Sequence, residues 1–181
     1  MILTALYYTS PGMISNTAPI FVRDIFNWMA KPIDFGYKIG GKPIFGSHKT
    51  FRGYFFAIIT AIIIVYIQKL IYHISFFNKI SYIDYTKLNV FGILILGFLF
   101  GFGAMLGDSI KSFIKRRINI RPGGRFFPWD QIDYVIGIIL LTYFFQPMTW
   151  QMITVILIFG PALSLLTTRI GYHIGLRKEK W

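Results

Sequence analysis

At 181 residues the chain has room for one domain, and 55% of it is hydrophobic while only 14% is charged. A soluble domain usually carries about 25% charged residues, so apolar runs this long exclude an ordinary soluble fold and ask for a bilayer. The absence of cysteine excludes disulfides, thiolate metal sites and a cysteine nucleophile. The formal net charge of +12 poses a choice between nucleic acid and the cytoplasmic face of a membrane.

The first apolar stretch covers residues 2–26 and is interrupted by Pro11, Gly12, Asn16 and Pro19. No Lys or Arg precedes Arg23, so the stretch lacks the basic region of a secretory signal and reads as a retained membrane segment. The second, residues 54–71, is the cleanest. The third, residues 90–107, has no charge and carries Gly97-x-x-x-Gly101 and Gly103-x-x-x-Gly107. Small residues four apart let helix backbones approach closely; packing within one bundle is favoured over a seam between two copies, which would make a homodimer. The fourth, residues 134–145, is short for a span unless it begins nearer Asp130. The fifth, residues 150–168, has Gly160-Pro161 in its middle. The expected fold is all-α: a single integral-membrane domain over residues 1–181, a polytopic bundle of about five transmembrane helices with two basic cytoplasmic loops.

Charge sets the orientation. Lys31, Lys38, Lys42, Lys49 and Arg52 lie between spans one and two. Lys111, Lys115, Arg116, Arg117, Arg121 and Arg125 lie between spans three and four, and Arg169, Arg177, Lys178 and Lys180 follow span five. The other side holds Lys69, Lys79 and Lys87. The positive-inside rule places the N-terminus outside, and both long loops and the C-terminus in the cytoplasm. Trp28, Trp129 and Trp150 fit an interfacial belt better than a base-stacking platform. Nucleic acid is therefore not an expected partner.

Acidic residues are rare, and Asp34, Asp108, Asp130 and Asp133 stand in or beside the two basic loops. Asp108 follows Gly107 at the cytoplasmic end of span three. Asp130 and Asp133 share one face if a helix begins there, and like charges that close call for a cation. Magnesium takes one or two carboxylates together with substrate phosphates and water; the bland alternative is that acids at a helix N-terminus favour the macrodipole. With Asp108 and six basic residues in between, a Mg²⁺ site at Asp108, Asp130 and Asp133 is the favoured reading. Asp108, Ser112 and Lys115 fall at i, i+4 and i+7 on one helical face. Lys115, Arg116 and Arg117 offer phosphate-binding cations, and Pro122-Gly123-Gly124 is expected to break the helix and bring backbone N–H groups near a phosphate. In the first loop, Asp34-Phe35-Gly36, Gly40-Gly41, Gly46 and Gly53 loosen the backbone, while His48, Lys49, Thr50 and Arg52 supply donors. The spacing is not that of a P-loop. His73 and His173 read as interfacial residues.

Gly107-Asp108-Ser109-Ile110-Lys111-Ser112-Phe113-Ile114-Lys115-Arg116-Arg117, followed by Asp130-Gln131-Ile132-Asp133, resembles the signature of integral-membrane CTP-dependent lipid cytidylyltransferases. Asp34-Phe35-Gly36 through Lys49-Thr50-Phe51-Arg52-Gly53 is similar to that family's other cytoplasmic motif. The small size, Asn16-x-x-Pro19 and Asp130-Gln131-Ile132-Asp133 look most like the CDP-archaeol synthase branch; the phosphatidate branch usually has Asp-Arg-x-Asp there and a longer chain. Span five and residues 69–89 carry none of these motifs. The resemblance implies attack of a membrane lipid phosphate on the α-phosphate of CTP, giving CDP-lipid and pyrophosphate with Mg²⁺. It implies catalytic roles for Asp108, Asp130, Asp133 and Lys115, with Asn16, Asp34, Lys49, Thr50, Arg52, Ser112, Arg116 and Arg117 as substrate-binding candidates. The alternatives are a phosphatidate cytidylyltransferase making CDP-diacylglycerol and a small membrane carrier. A carrier would place ionisable residues near the midplane of its spans, whereas spans two, three and five are free of charge to within a turn of their ends.

Overall fold

The computed structural model describes residues 1–121 and 123–175. The cytoplasmic placement expected for residues 177–181, and Pro122, lie outside the described residues. The elements are helices α1 (Ile2–Ser15), α2 (Ala18–Phe21), α3 (Phe51–Ile71), α4 (Ser75–Ile80), α5 (Val90–Arg117), α6 (Trp129–Thr142) and α7 (Trp150–His173), with a hairpin of β1 (Lys38–Ile39) and β2 (Lys42–Pro43) before α3. The helix bundle matches the expected class. The hairpin is an addition, turned by Gly40 and Gly41 at positive φ, where a side chain would be strained.

Among the described residues three helices, α3, α5 and α7, are long and apolar enough to cross a membrane. Helices α1 and α6 have 14 residues each, about 21 Å, short of the roughly 30 Å hydrocarbon core. Helix α1 runs through Pro11 and stops at Asn16, its C-cap, before the chain turns into α2. Helix α6 begins at Trp129, earlier than residue 134, and so takes in both Asp130 and Asp133.

Helix α5 organises the site. Its 28 residues, about 42 Å, outrun the bilayer core and carry Asp108, Lys111, Ser112 and Lys115 out as one rigid extension. It ends at Arg117, before the Pro-Gly-Gly turn expected to break it. Asn119 adopts a left-handed conformation there, and the Ile120 N–H closes on the Lys115 carbonyl at 2.9 Å. Such left-handed caps satisfy carbonyls that a helix end leaves open.

The glycines of α5 are used within the chain. A Cβ on Gly101 would come within 2.6 Å of the Ile58 Cα, so α3 fits against that face. A Cβ on Gly107 would overlap the Asp133 carbonyl oxygen, and one on Gly137 would overlap the Gly103 carbonyl oxygen. This contact sets α6 backbone-to-backbone on α5 and fixes where Asp130 and Asp133 fall. Gly137→Ala is therefore expected to destabilise by about 1–3 kcal/mol or more, as overpacking against an unyielding neighbour does. Gly160→Ala, which meets only the end of the Val135 side chain at 3.0 Å, should cost less. Thermal unfolding in detergent separates the two.

The core is apolar (Tyr8, Val65, Leu96, Phe100, Tyr134 and Ile138 among others) with one buried polar knot. Gln68 in α3 donates to the Tyr7 carbonyl at 2.8 Å and accepts from Tyr85 at 2.7 Å. Pairing both ends of the amide is what lets it sit inside an apolar bundle.

Candidate active site

Three lysines and three aspartates meet where the start of α3, the end of α5 and the start of α6 come together. Lys111 is at the centre, 3.0 Å from Asp108, 3.3 Å from Asp130 and 2.6 Å from Asp133. Lys49, just ahead of α3, pairs with the second oxygen of Asp108. Lys115 pairs with Asp130 at 2.9 Å and donates to the Gly124 carbonyl. The Phe126 N–H donates to Asp130 at 2.6 Å. Asp133 is 7% exposed, and its Oδ2 faces the Lys111 ammonium without receiving a well-directed hydrogen bond. The charges balance, which is how so many ionised groups tolerate burial together.

Two clefts open on this cluster. One, of about 310 Å³, is lined by Asn16, Lys49, Asp108, Lys111, Lys115, Asp130 and Asp133, with Ser164 and Thr168 of α7. The other, of about 200 Å³, adds Phe45, Ser112 and Arg116 to the same central lysines and Asp108. His48 and Gly123 border both. Ser112 donates to the Asp108 carbonyl at 2.9 Å, a bond within helix α5. From the sequence-derived candidates the fold thus brings Asn16, Lys49, Asp108, Ser112, Lys115, Arg116, Asp130 and Asp133 to one place.

The other four candidates are engaged with the protein itself. Asp34 accepts from the Gly36, Phe45 and Gly46 N–H groups at 3.0, 2.9 and 3.1 Å. Thr50 caps α3 by accepting from the Gly53 N–H at 3.2 Å. Arg52 donates to the Ile25 carbonyl at 2.7 Å and to Asn27 at 3.2 Å. Arg117 donates to the Ile39 and Lys42 carbonyls at 2.6 and 3.1 Å, stapling the hairpin to α5. These groups shape the first loop so that Lys49 reaches Asp108.

Asp34 gives that loop an acid sensitivity. Burial pushes its carboxyl up, but the N–H groups of Phe45, Gly36 and Gly46 outweigh this and hold it below the usual carboxylate range. Such a group stabilises the fold above its unfolded value of about 4, and that contribution is lost as pH falls through the depressed folded value. Limited proteolysis of residues 32–50 is expected to speed up below about pH 4 in the wild type, and to be fast already at neutral pH in Asp34→Ala.

Sequence reasoning passed over two residues. Lys111 was read as one loop charge among six, although its i, i+3 spacing from Asp108 was visible; its convergence with Asp130 and Asp133 depends on the α5–α6 contact. Gln131, inside the Asp-x-x-Asp run, borders the first cleft and is 4% exposed.

Comparison with known proteins agrees over the whole length. The family model for CarS-like CDP-archaeol synthase matches residues 1–181. The CDP-archaeol synthase of Methanocaldococcus jannaschii is 31% identical over 182 residues, covering 100% of this chain and 98% of that one. The CDP-archaeol synthase of Methanospirillum hungatei is 35% identical over 157 residues, covering 83% of this chain and 89% of that one. A solved structure described as "Structural insight into an intramembrane enzyme for archaeal membrane lipids biosynthesis" superposes with a TM-score of 0.70 at 21% identity, covering 92% of this chain and 94% of that one; at that identity it bears on the fold alone. The site sequence, the membrane bundle and the full-length match together establish that this chain belongs to the CDP-archaeol synthase family.

Proposed function

We propose that the protein transfers the cytidylyl group of CTP to the phosphate of a membrane ether lipid of the archaeol type, with release of pyrophosphate. The observation that carries this reading is the buried lysine–aspartate cluster at the membrane surface, in a member of this family. A lipid phosphate oxygen forms a bond to the α-phosphorus of CTP. The bond from that phosphorus to the bridging oxygen breaks, and pyrophosphate leaves with the electron pair. Such a transfer needs two anions held together and negative charge neutralised as it moves to the leaving group. Lys49, Lys111 and Lys115 supply fixed positive charge, and Arg116 borders the smaller cleft. An apolar groove of about 190 Å³ between α2 and α7 shares Ile20 with the larger cleft, and gives the lipid chains a path from the bilayer.

The donor set suits magnesium in kind. Asp108, Asp130 and Asp133 are hard oxygen ligands converging on one point, where they meet the Lys111 ammonium. Among the described residues no three acidic or histidine side chains are arranged to hold a metal ion with their side chains as placed, because the three carboxylates close on the Lys111 ammonium. We assign Asp108, Asp130 and Asp133 as the residues that would hold Mg²⁺, sharing their charge with Lys111. When bound, the ion would neutralise phosphate charge and polarise the P–O bonds.

The test is a product assay with purified protein, labelled CTP, Mg²⁺ and, in turn, an archaeol-type ether lipid phosphate and an acyl phosphatidate. CDP-lipid from the ether lipid is the expected product. Product from the acyl lipid alone would move the assignment to the phosphatidate branch, and no product from either would refute cytidylyl transfer.

The reading also fixes orientation. Both clefts must face the CTP-containing cytoplasm, so the N-terminus lies outside; five crossings then require α1 with α2, and α6, to cross as well, although α1 and α6 have only 14 residues each. Single cysteines introduced into this cysteine-free chain test it. In intact cells an impermeant reagent should label position 79 and spare position 42; labelling at 42 would overturn the orientation.

A further inference from the structure

The segment between α2 and the hairpin carries apolar side chains that the bundle does not cover. Trp28 is 74% exposed, and Phe21, Ile25, Phe26 and Phe35 are exposed as well. Phe26 and Phe35 also adopt a left-handed backbone, at φ 51° and 50°. That conformation is unfavourable for so bulky a residue and persists only where the surroundings hold it. Both residues are held against the start of α3. The Phe26 ring packs on Phe56 at 5.2 Å between centroids, and the Phe35 ring on Phe51 at 5.4 Å. Arg52, itself buried, grips the Ile25 carbonyl and Asn27, and the Phe51 N–H donates to the Lys31 carbonyl at 3.0 Å. The strained turns thus set a collar of aromatic rings around the first turns of α3.

The position of the collar says what covers it. Helix α3 has 21 residues, about 31 Å, close to the roughly 30 Å of a hydrocarbon core. Its first turn therefore stands at the boundary between acyl chains and headgroups. Phe51, Phe55, Ile59 and Ile63 are exposed at every fourth position of α3, an apolar stripe that a spanning helix turns to lipid. Phe51 and its partner Phe35 head that stripe, so the collar continues the lipid-facing surface up to the headgroups. Charge there is basic. Lys31 is exposed and forms no ion pair among the described residues. Arg23 meets Asp24 at 3.4 Å, a pair so exposed that water screens it. Asp34, the next acid along the chain, is turned onto N–H groups of its own loop. Long basic side chains lay their stems along an apolar boundary and extend the charge to phosphate.

We infer that residues 21–35 form an interfacial anchor that binds anionic lipids of the leaflet at the start of α3, with the aromatic collar seated among the headgroups and Arg23 and Lys31 on their phosphates. The anchor and Lys49 belong to one loop, joined by the Pro32–Thr50 bridge and by the Ile33 N–H, which donates to the Lys49 carbonyl at 2.8 Å. Lipid bound at the collar therefore steadies the arm that carries Lys49 to Asp108.

Tryptophan quenching in nanodiscs tests this on the intact chain. The probes are phosphatidylcholine and phosphatidylglycerol brominated on acyl carbons near the headgroup, each at the same fraction in a phosphatidylcholine nanodisc. The difference between wild type and Trp28→Phe isolates the Trp28 signal. Brominated phosphatidylglycerol is expected to quench that signal about twofold or more beyond brominated phosphatidylcholine at low salt, since basic residues at the surface enrich anionic lipid. Arg23→Gln with Lys31→Gln, both at exposed positions, should keep the melting temperature and the quenching but lose the preference. No quenching of Trp28 by either lipid would show that the collar faces water or a protein partner. Equal quenching by both lipids in the wild type, or a preference that survives the double substitution, would show that Arg23 and Lys31 do not select anionic lipid. Any of these results overturns the inference, and none of them bears on cytidylyl transfer.

Discussion

Asp133→Asn is expected to lower cytidylyl transfer by at least about 10²-fold, the scale of losing one preorganised electrostatic group at a reacting centre. The change removes a charge at nearly constant shape. Asp133 is buried against Lys111 at 2.6 Å, and its other oxygen accepts from the Tyr134 N–H at 2.7 Å. An Asn oxygen can keep that backbone bond, but its NH2 then faces the Lys111 ammonium, so a purely structural role predicts a fall in rate no larger than the fall in folded fraction. Lys111 also keeps Asp108 and Asp130 as counter-charges. The fold should therefore lose less than the roughly 3–5 kcal/mol that follows when a buried pair is broken outright. The measurement is turnover at saturating Mg²⁺ beside thermal unfolding in detergent. Activity within about threefold of wild type would return Asp133 to a structural role.

Lys115→Gln carries the second large effect. Lys115 is 6% exposed and ties Asp130 to the Gly124 carbonyl, where both clefts meet. If it serves only to hold the loop in the cytoplasm, the loop's five other positive charges suffice and activity is unchanged. If it faces the phosphates, the loss is about 10²-fold or more, equivalent to about 3 kcal/mol. Arg121→Gln is the control: Arg121 is exposed, lines neither cleft at the cluster, and its loss should leave turnover within about threefold. Because Lys115 also fastens the Gly124 loop, the melting temperature of each variant must be read alongside its rate. A fall in activity matched by a fall in the folded fraction would assign Lys115 to loop structure.

Much of this was legible in the sequence because the informative residues are scarce. Long uncharged runs mark α3, α5 and α7, and an aspartate beside an apolar run costs too much to be accidental. The face shared by Asp108, Ser112 and Lys115 required only that α5 continue past the bilayer, and it does, to Arg117. What stayed hidden was the partner of each loop cation. An arginine aimed at backbone carbonyls and one aimed at phosphate have the same sequence, so Arg52 and Arg117 read as ligand groups while they hold residues 25–27 and the hairpin. Asp34 likewise read as a site acid and is the clasp of its own loop. Ser164 and Thr168 stand in α7, which carries no motif, and reach the cleft through helix packing alone. The glycines predicted the close approach of helices. Which helix each would meet, α3 at Gly101 and α6 at Gly107, is a property of the fold.

The most direct test of the central claim follows the phosphorus atoms. Purified protein is given Mg²⁺, the ether lipid phosphate and CTP labelled at either the α- or the γ-phosphate. Cytidylyl transfer predicts that α-label enters the lipid fraction and that γ-label is released wholly as pyrophosphate, with both movements lost in Asp133→Asn. Label entering the lipid from the γ-position would show phosphoryl transfer instead, and would contradict the account.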